Sequence, residues 1–139
     1  MDFKRWLMAT LGAFGVIAVA DYVIHSVWLG EFYRMSAQWW RAPAEIQEMR
    51  GLMLVSEMLL AVLLTVIYSK GYEANKAGLG QGFRYGVLVG LLLAVPSGLM
   101  KAVVYPYPFQ LVLNWMLGTF VEVTVVGIMI GYLYKPSKK

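Results

Sequence analysis

Not one residue of this chain is cysteine, and only one is histidine. The first absence excludes disulfides, thiolate metal sites, cysteine nucleophiles and covalent c-type haem attachment. The second disfavours a haem held by two histidines, and also the di-iron bundle pattern, which needs a Glu-x-x-His pair on each of two helices. A His–Met haem pair stays open, since nine methionines are present. Charge is scarce too: 14% of the 139 residues are Asp, Glu, Lys or Arg, against 60% hydrophobic. A water-soluble fold this short has too little interior to hide that much apolar surface, whereas lipid accepts it on the outside of a bundle. The mean hydropathy of +0.62 agrees.

The apolar residues fall into four runs, at about 6–28, 52–69, 83–104 and 109–134. Each is long enough to cross the roughly 30 Å hydrocarbon core as a helix. Tyr105-Pro106-Tyr107-Pro108 separates the last two runs, because prolines so closely spaced stop a helix and favour an extended turn. The pattern predicts an all-α integral membrane four-helix bundle, one domain over 1–139, with an external loop at 31–50 and a cytoplasmic loop at 70–82. A helix starting near Pro43 is expected to extend the second span outward, since proline suits a first helical position. Lys4 and Arg5 before an apolar run ending in Ala18-Val19-Ala20 imitate a cleavable signal peptide. The run continues well past Ala20, so an uncleaved span is expected.

Orientation follows from the basic residues. Lys4, Arg5, Lys70, Lys76, Arg84, Lys135, Lys138 and Lys139 fall on one side of four spans, and Arg34, Arg41 and Arg50 on the other, there matched by Glu31, Glu45 and Glu48. The positive-inside rule puts the richer side, with both termini, in the cytoplasm of a cell whose inner membrane holds the chain. Two aromatic belts agree: Trp6, Tyr68, Tyr72, Tyr85, Tyr132 and Tyr134 mark one interface, and Trp28, Tyr33, Trp39, Trp40, Tyr105 and Tyr107 the other. The net charge of +4 does not point to nucleic acid, because the basic residues sit in short clusters beside apolar runs. Lipid headgroups are the expected anionic neighbours.

Small residues carry two further expectations. Gly78, Gly80 and Gly82 around Gln81 read as a flexible loop, without the strand and helix that a phosphate-binding glycine loop needs. Gly86 and Gly90, and likewise Gly127 and Gly131, have the G-x-x-x-G spacing that lets helix backbones approach closely, within the bundle or against another subunit. Pro96, Ser97 and Gly98 are expected to kink the third span.

Asp21, His25, Glu57, Lys101 and Glu122 remain inside or at the rim of the spans. An ionisable side chain near the bilayer centre costs roughly 2.5–3.5 kcal/mol on insertion scales, so each is expected to face the bundle interior and find a partner. At about 1.5 Å per residue, Asp21 lies roughly 22 Å along the first helix and Glu57 roughly 8 Å below the outer start of the second. One polar cluster of Asp21, His25, Glu57, Lys101 and Asn114 is therefore expected under the outer surface, with Lys101 neutralising Asp21 or Glu57 and with Glu122 apart and deeper. Such a network either fixes helix register or trades protons or cations. Asp21 and His25 at i and i+4 offer too few ligands for a metal site, and none is expected. No nucleophile accompanies His25, so neither catalysis nor a cofactor is expected.

Trp40-Arg41-Ala42-Pro43-Ala44-Glu45-Ile46-Gln47-Glu48-Met49, Arg84-Tyr85-Gly86 and the Tyr-Pro-Tyr-Pro turn resemble a family of small bacterial four-span membrane proteins of unknown function. The likeness runs over most of the chain and implies the same topology, with no activity or site residues to carry over. The four-helix small multidrug exporters are not resembled: their essential Glu lies in span one, where this chain has Asp21. The reading that asks least of the residues is an accessory or structural subunit, docked on other membrane subunits or on a second copy. The alternative is a small oligomeric proton- or cation-coupled transporter working through the Asp/Glu/Lys cluster, and a quinone- or haem-associated protein ranks last.

Overall fold

The computed structural model describes residues 3–134. Lys135, Lys138 and Lys139, part of the charge asymmetry above, lie outside the described residues. α1 (Phe3–Asp21) passes directly into a π-helical stretch, Tyr22–Trp28, where the Leu29 N–H donates to the Ile24 carbonyl five residues back at 2.8 Å. An outer segment follows: α2 (Gly30–Met35), a 3-10 turn at Ala37–Trp39 and α3 (Pro43–Glu48), with Pro43 in its first turn. α4 (Arg50–Lys70), α5 (Gly78–Val104) and α6 (Phe109–Leu133) complete the chain, and no strand occurs among the described residues.

Four helical spans, Phe3–Trp28, Arg50–Lys70, Gly78–Val104 and Phe109–Leu133, are long and apolar enough to cross a membrane. Their surface is that of a protein solvated by lipid: Leu88, Leu92 and Val103 are each more than 60% exposed on the bundle exterior. Spending apolar surface this way costs nothing in a bilayer, where hydrocarbon is as good a neighbour as leucine. The chain is a multi-pass membrane protein with an all-α four-helix bundle. The end bearing the α4–α5 connection is termed inner, and the end bearing the α5–α6 turn outer.

α5 packs along α6, and α1 packs against both α6 and α4. Ala9, Ala13 and Ile17 of α1, Ala61 and Leu64 of α4, and Val123, Val126 and Ile130 of α6 form the core of the inner half. The inner end is closed by tyrosines: Tyr68 meets Tyr72, Tyr85 and Tyr134 with ring centroids 5.3–6.0 Å apart, and the Tyr85 hydroxyl donates to the Leu64 carbonyl at 2.6 Å. Offset and edge-on ring pairs of this kind add about 0.5–1.5 kcal/mol each beyond the area they bury.

The expected 70–82 loop is corrected at its second half. α5 begins at Gly78, and Gly78 and Gly82 are points of backbone contact rather than flexible joints. A Cβ on Gly82 would collide with the backbone of Gly127 and Gly131, one on Gly86 with Thr124, and one on Gly131 with Gly78 and Gly82. The remaining connection is held by Gln81, whose Nε2 donates to the Glu73 and Lys76 carbonyls at 2.8 and 3.1 Å while its Oε1 accepts from the Glu73 N–H at 2.9 Å. Pro96 lies inside α5 without ending it, and the Ser97 hydroxyl donates back to the Leu93 carbonyl.

Candidate functional site

α1 delivers Asp21 at its last turn, and the π-helical stretch then carries His25. Single π turns inside α-helices are rare and gather at functional sites. His25 Nε2 stands 3.7 Å from Asp21 Oδ1, and its Nδ1 lies 2.8 Å from the Tyr33 hydroxyl, which accepts the indole N–H of Trp115 at 2.7 Å. Indole is a donor only, so the phenolic proton is left for Nδ1, and the N–H of the neutral imidazole sits at Nε2, facing Asp21. Trp115, Tyr33, His25 and Asp21 thus form one polar line from α6 through α2 to α1. Burial pushes the Tyr33 phenol above its ordinary value, and the Trp115 bond works the other way.

A cavity of about 350 Å³ opens inward from this line. Asp21, His25, Lys101, Trp115, Thr119 and Glu122 line it, and Tyr105 and Tyr107 of the α5–α6 turn stand at its outer side. Trp115, Thr119 and Glu122 recur at i, i+4 and i+7, which puts them on one face of α6. Lys101 Nζ lies over the Trp115 ring, 5.6 Å from its centroid.

The roof is aromatic. Trp40 stacks on Tyr107 at 5.5 Å and meets Tyr33 and Trp115 edge-on at 5.3 and 6.0 Å, and Tyr107 meets Trp115 at 5.4 Å. Trp40 Nε1 donates to the Ser36 hydroxyl at 3.0 Å, and that hydroxyl donates to the Phe32 carbonyl at 2.6 Å, fastening the ring to the end of α2. Outside His25 and Trp115 lies a second hollow of about 700 Å³, walled by Tyr33, Trp40, Pro43 and Ile46 with Arg34 and Arg41 at its edge. Both arginines pair with neighbouring carboxylates, Arg34 with Glu31 and Arg41 with Glu45.

Asp21, His25 and Lys101 come together as their positions suggested, but the pairing differs. Among the described residues Lys101 makes no ion pair with a carboxylate; it sits near the outer end of α5, where the residue opposite on α6 is Trp115. Glu57 lies in a separate recess with Met49, Leu52, Met53 and Ser56, joined to the cavity only through Asp21, which lines both. Its Oε2 is buried without a hydrogen-bond partner. Asn114 does not line the cavity. One residue from Trp115, it is turned about 100° around the helix, and its side chain accepts from Gln110 Nε2 at 3.1 Å. Glu122 is not apart: it is 8% exposed and lines the same cavity as Asp21 and Lys101.

Thr119 and Trp115 are absent from the set the sequence suggested, although their spacing to Glu122 is a legible helical stripe. Tyr33 carried no signal beyond its place in an aromatic belt. No group of three or more His, Asp or Glu is close enough to hold a metal ion among the described residues. Comparison with protein-family models, curated proteins and solved structures found no match. The site's own chemistry carries the functional reading.

Proposed function

We propose that the protein is a small membrane carrier that binds a proton or a small cation in the outer-half cavity and exchanges one for the other. The observation that supports this reading is the convergence of Asp21 and Glu122, from two different helices, on one cavity ringed by lipid-solvated helices. Carboxylates in low dielectric hold protons more tightly than in water, and they give them up when a cation arrives to take the negative charge. The inner half is packed from Ala13 and Ile17 down to the tyrosine closure, which fits a carrier with its site open to one side at a time. Reconstitution into liposomes tests the reading: an imposed proton gradient should drive cation flux through the wild type and fail to do so through Asp21→Asn and Glu122→Gln. Equal fluxes in all three would remove it.

A second reading is an accessory subunit resembling the bacterial four-span family, favoured by the same closed inner half and by the broad aromatic outer face. Purification from native membranes in mild detergent distinguishes it, because a stoichiometric partner would accompany the chain.

A further inference from the structure

The cavity gathers two acids and a lysine, and the lysine pairs with neither acid. Glu122 is more than nine-tenths buried and lines the cavity, yet among the described residues its carboxylate has neither a hydrogen bond nor an ion pair. Lys101, on the opposite helix, leans on the Trp115 ring instead of meeting a carboxylate. Leaving Glu122 buried without a partner is costly, and the cost is recovered if a ligand brings positive charge to it, while the exposed Lys101 ammonium stands at the same cavity to meet an anionic end of that ligand. A proton or small cation at Asp21 and Glu122 satisfies the acids and leaves the Lys101 ammonium without a counter-charge. A simple anion has the reverse problem.

We propose that the cavity binds a small zwitterion, with its ammonium at Asp21 and Glu122 and its carboxylate at Lys101. Thr119, between Trp115 and Glu122 on the cavity face of α6, is placed to accept from the ammonium. A volume of about 350 Å³ is at the lower end of ligand-sized cavities and suits a molecule of the amino-acid class. Tyr105, Tyr107 and Trp115 supply apolar and π surface for the methylenes or for the flank of the ammonium. This inference rests on the carrier reading for the location of the site, and it adds the chemical class of what is bound.

The test is calorimetric titration of the full chain in nanodiscs with alanine, β-alanine and 4-aminobutyrate, which carry the same two charges at increasing separation. Butylamine and butyrate serve as singly charged controls. At least one zwitterion should bind more tightly than both controls. Lys101→Met and Glu122→Gln should each weaken it roughly ten- to hundred-fold, the loss expected for one charge-assisted hydrogen bond. Lys101→Arg, which keeps the charge, should bind measurably, and it guards against misfolding of the methionine variant. Failure of all three zwitterions, or affinities unchanged in Lys101→Met and Glu122→Gln, would overturn the assignment. Proton-driven cation flux without zwitterion binding would sink this inference and spare the carrier, whereas binding without flux would sink the carrier and spare the site.

Discussion

A methyl group at Gly127 is a severe perturbation for its size. The added Cβ would stand 2.6 Å from the Gly86 Cα and 2.8 Å from the Gly86 nitrogen. Carbon atoms in contact prefer about 3.5–4.0 Å, so α5 and α6 must separate by close to 1 Å, and a gap of that size forfeits a quarter to a half of each pairwise attraction along the interface. Overpacking of this kind costs about 1–3 kcal/mol. Against it stands the gain of about 0.5–1 kcal/mol from replacing a helical glycine by alanine. Gly127→Ala should therefore lose up to about 2.5 kcal/mol net, with a mid-range loss of about 1 kcal/mol, roughly a 5-fold shift in the folded-to-unfolded ratio. Gly15 is the control: it also lies within a span, nothing stands within 4 Å of its added Cβ, and Gly15→Ala should gain the propensity term alone. Reversible unfolding in mixed micelles of rising dodecyl sulfate content, followed by circular dichroism, reads both. Equal stability of Gly127→Ala and Gly15→Ala would refute close backbone packing as the basis of the α5–α6 pair.

Tyr33→Phe removes the acceptor for Trp115 and the partner of His25 Nδ1, and should cost about 1–3 kcal/mol by leaving the indole N–H unsatisfied; the same unfolding series measures it. Burial holds the Tyr33 phenol above the ordinary tyrosine value. Its contribution to the outer cap is fully present below that pH and is lost as pH rises through the elevated value; tyrosinate difference spectroscopy, wild type minus Tyr33→Phe, should show the titration displaced upward. Gln81→Ala releases three hydrogen bonds that hold residues 73 and 76, and limited proteolysis in micelles should then cut the α4–α5 connection faster than in the wild type. The chain lacks cysteine, so Lys76→Cys and Gln38→Cys each give one labelling site; a membrane-impermeant maleimide added to intact cells should reach position 38 and not 76 if the termini are cytoplasmic.

The four helices were legible because each span is a long apolar run, and length and hydropathy alone separate such a run from its loops. Helix ends were less so. Gly78 and Gly82 have the composition of a loop, and only their contact with Gly127 and Gly131 on a helix distant in sequence makes them helical. Within the site, Asp21 and His25 were readable as neighbours because they are local, four residues apart. The partner of Lys101 was not, since it depends on which α6 residue the packing rotates toward it, and the helix offers both Asn114 and Trp115 at that depth. Depth along the helix alone sets Glu122 apart, but its face does not: Trp115, Thr119 and Glu122 share a stripe that Asn114 leaves. The π-helical stretch has no counterpart in the composition of Tyr22–Trp28.

Because α5 and α6 approach backbone to backbone at Gly82, Gly86, Gly127 and Gly131, their mutual register is set there by main-chain shape. Lys101, Trp115, Thr119 and Glu122 all ride on that pair, whereas Asp21 and His25 arrive on α1. The cavity is therefore assembled from two sources: the α5–α6 pair carries the lysine and the deep acid, and α1 with its π-helical continuation carries Asp21 and His25. A change in how α1 sits against α6 would therefore alter the spacing of Asp21 from Lys101 and Glu122 before it altered the spacing of those two backbone positions from each other.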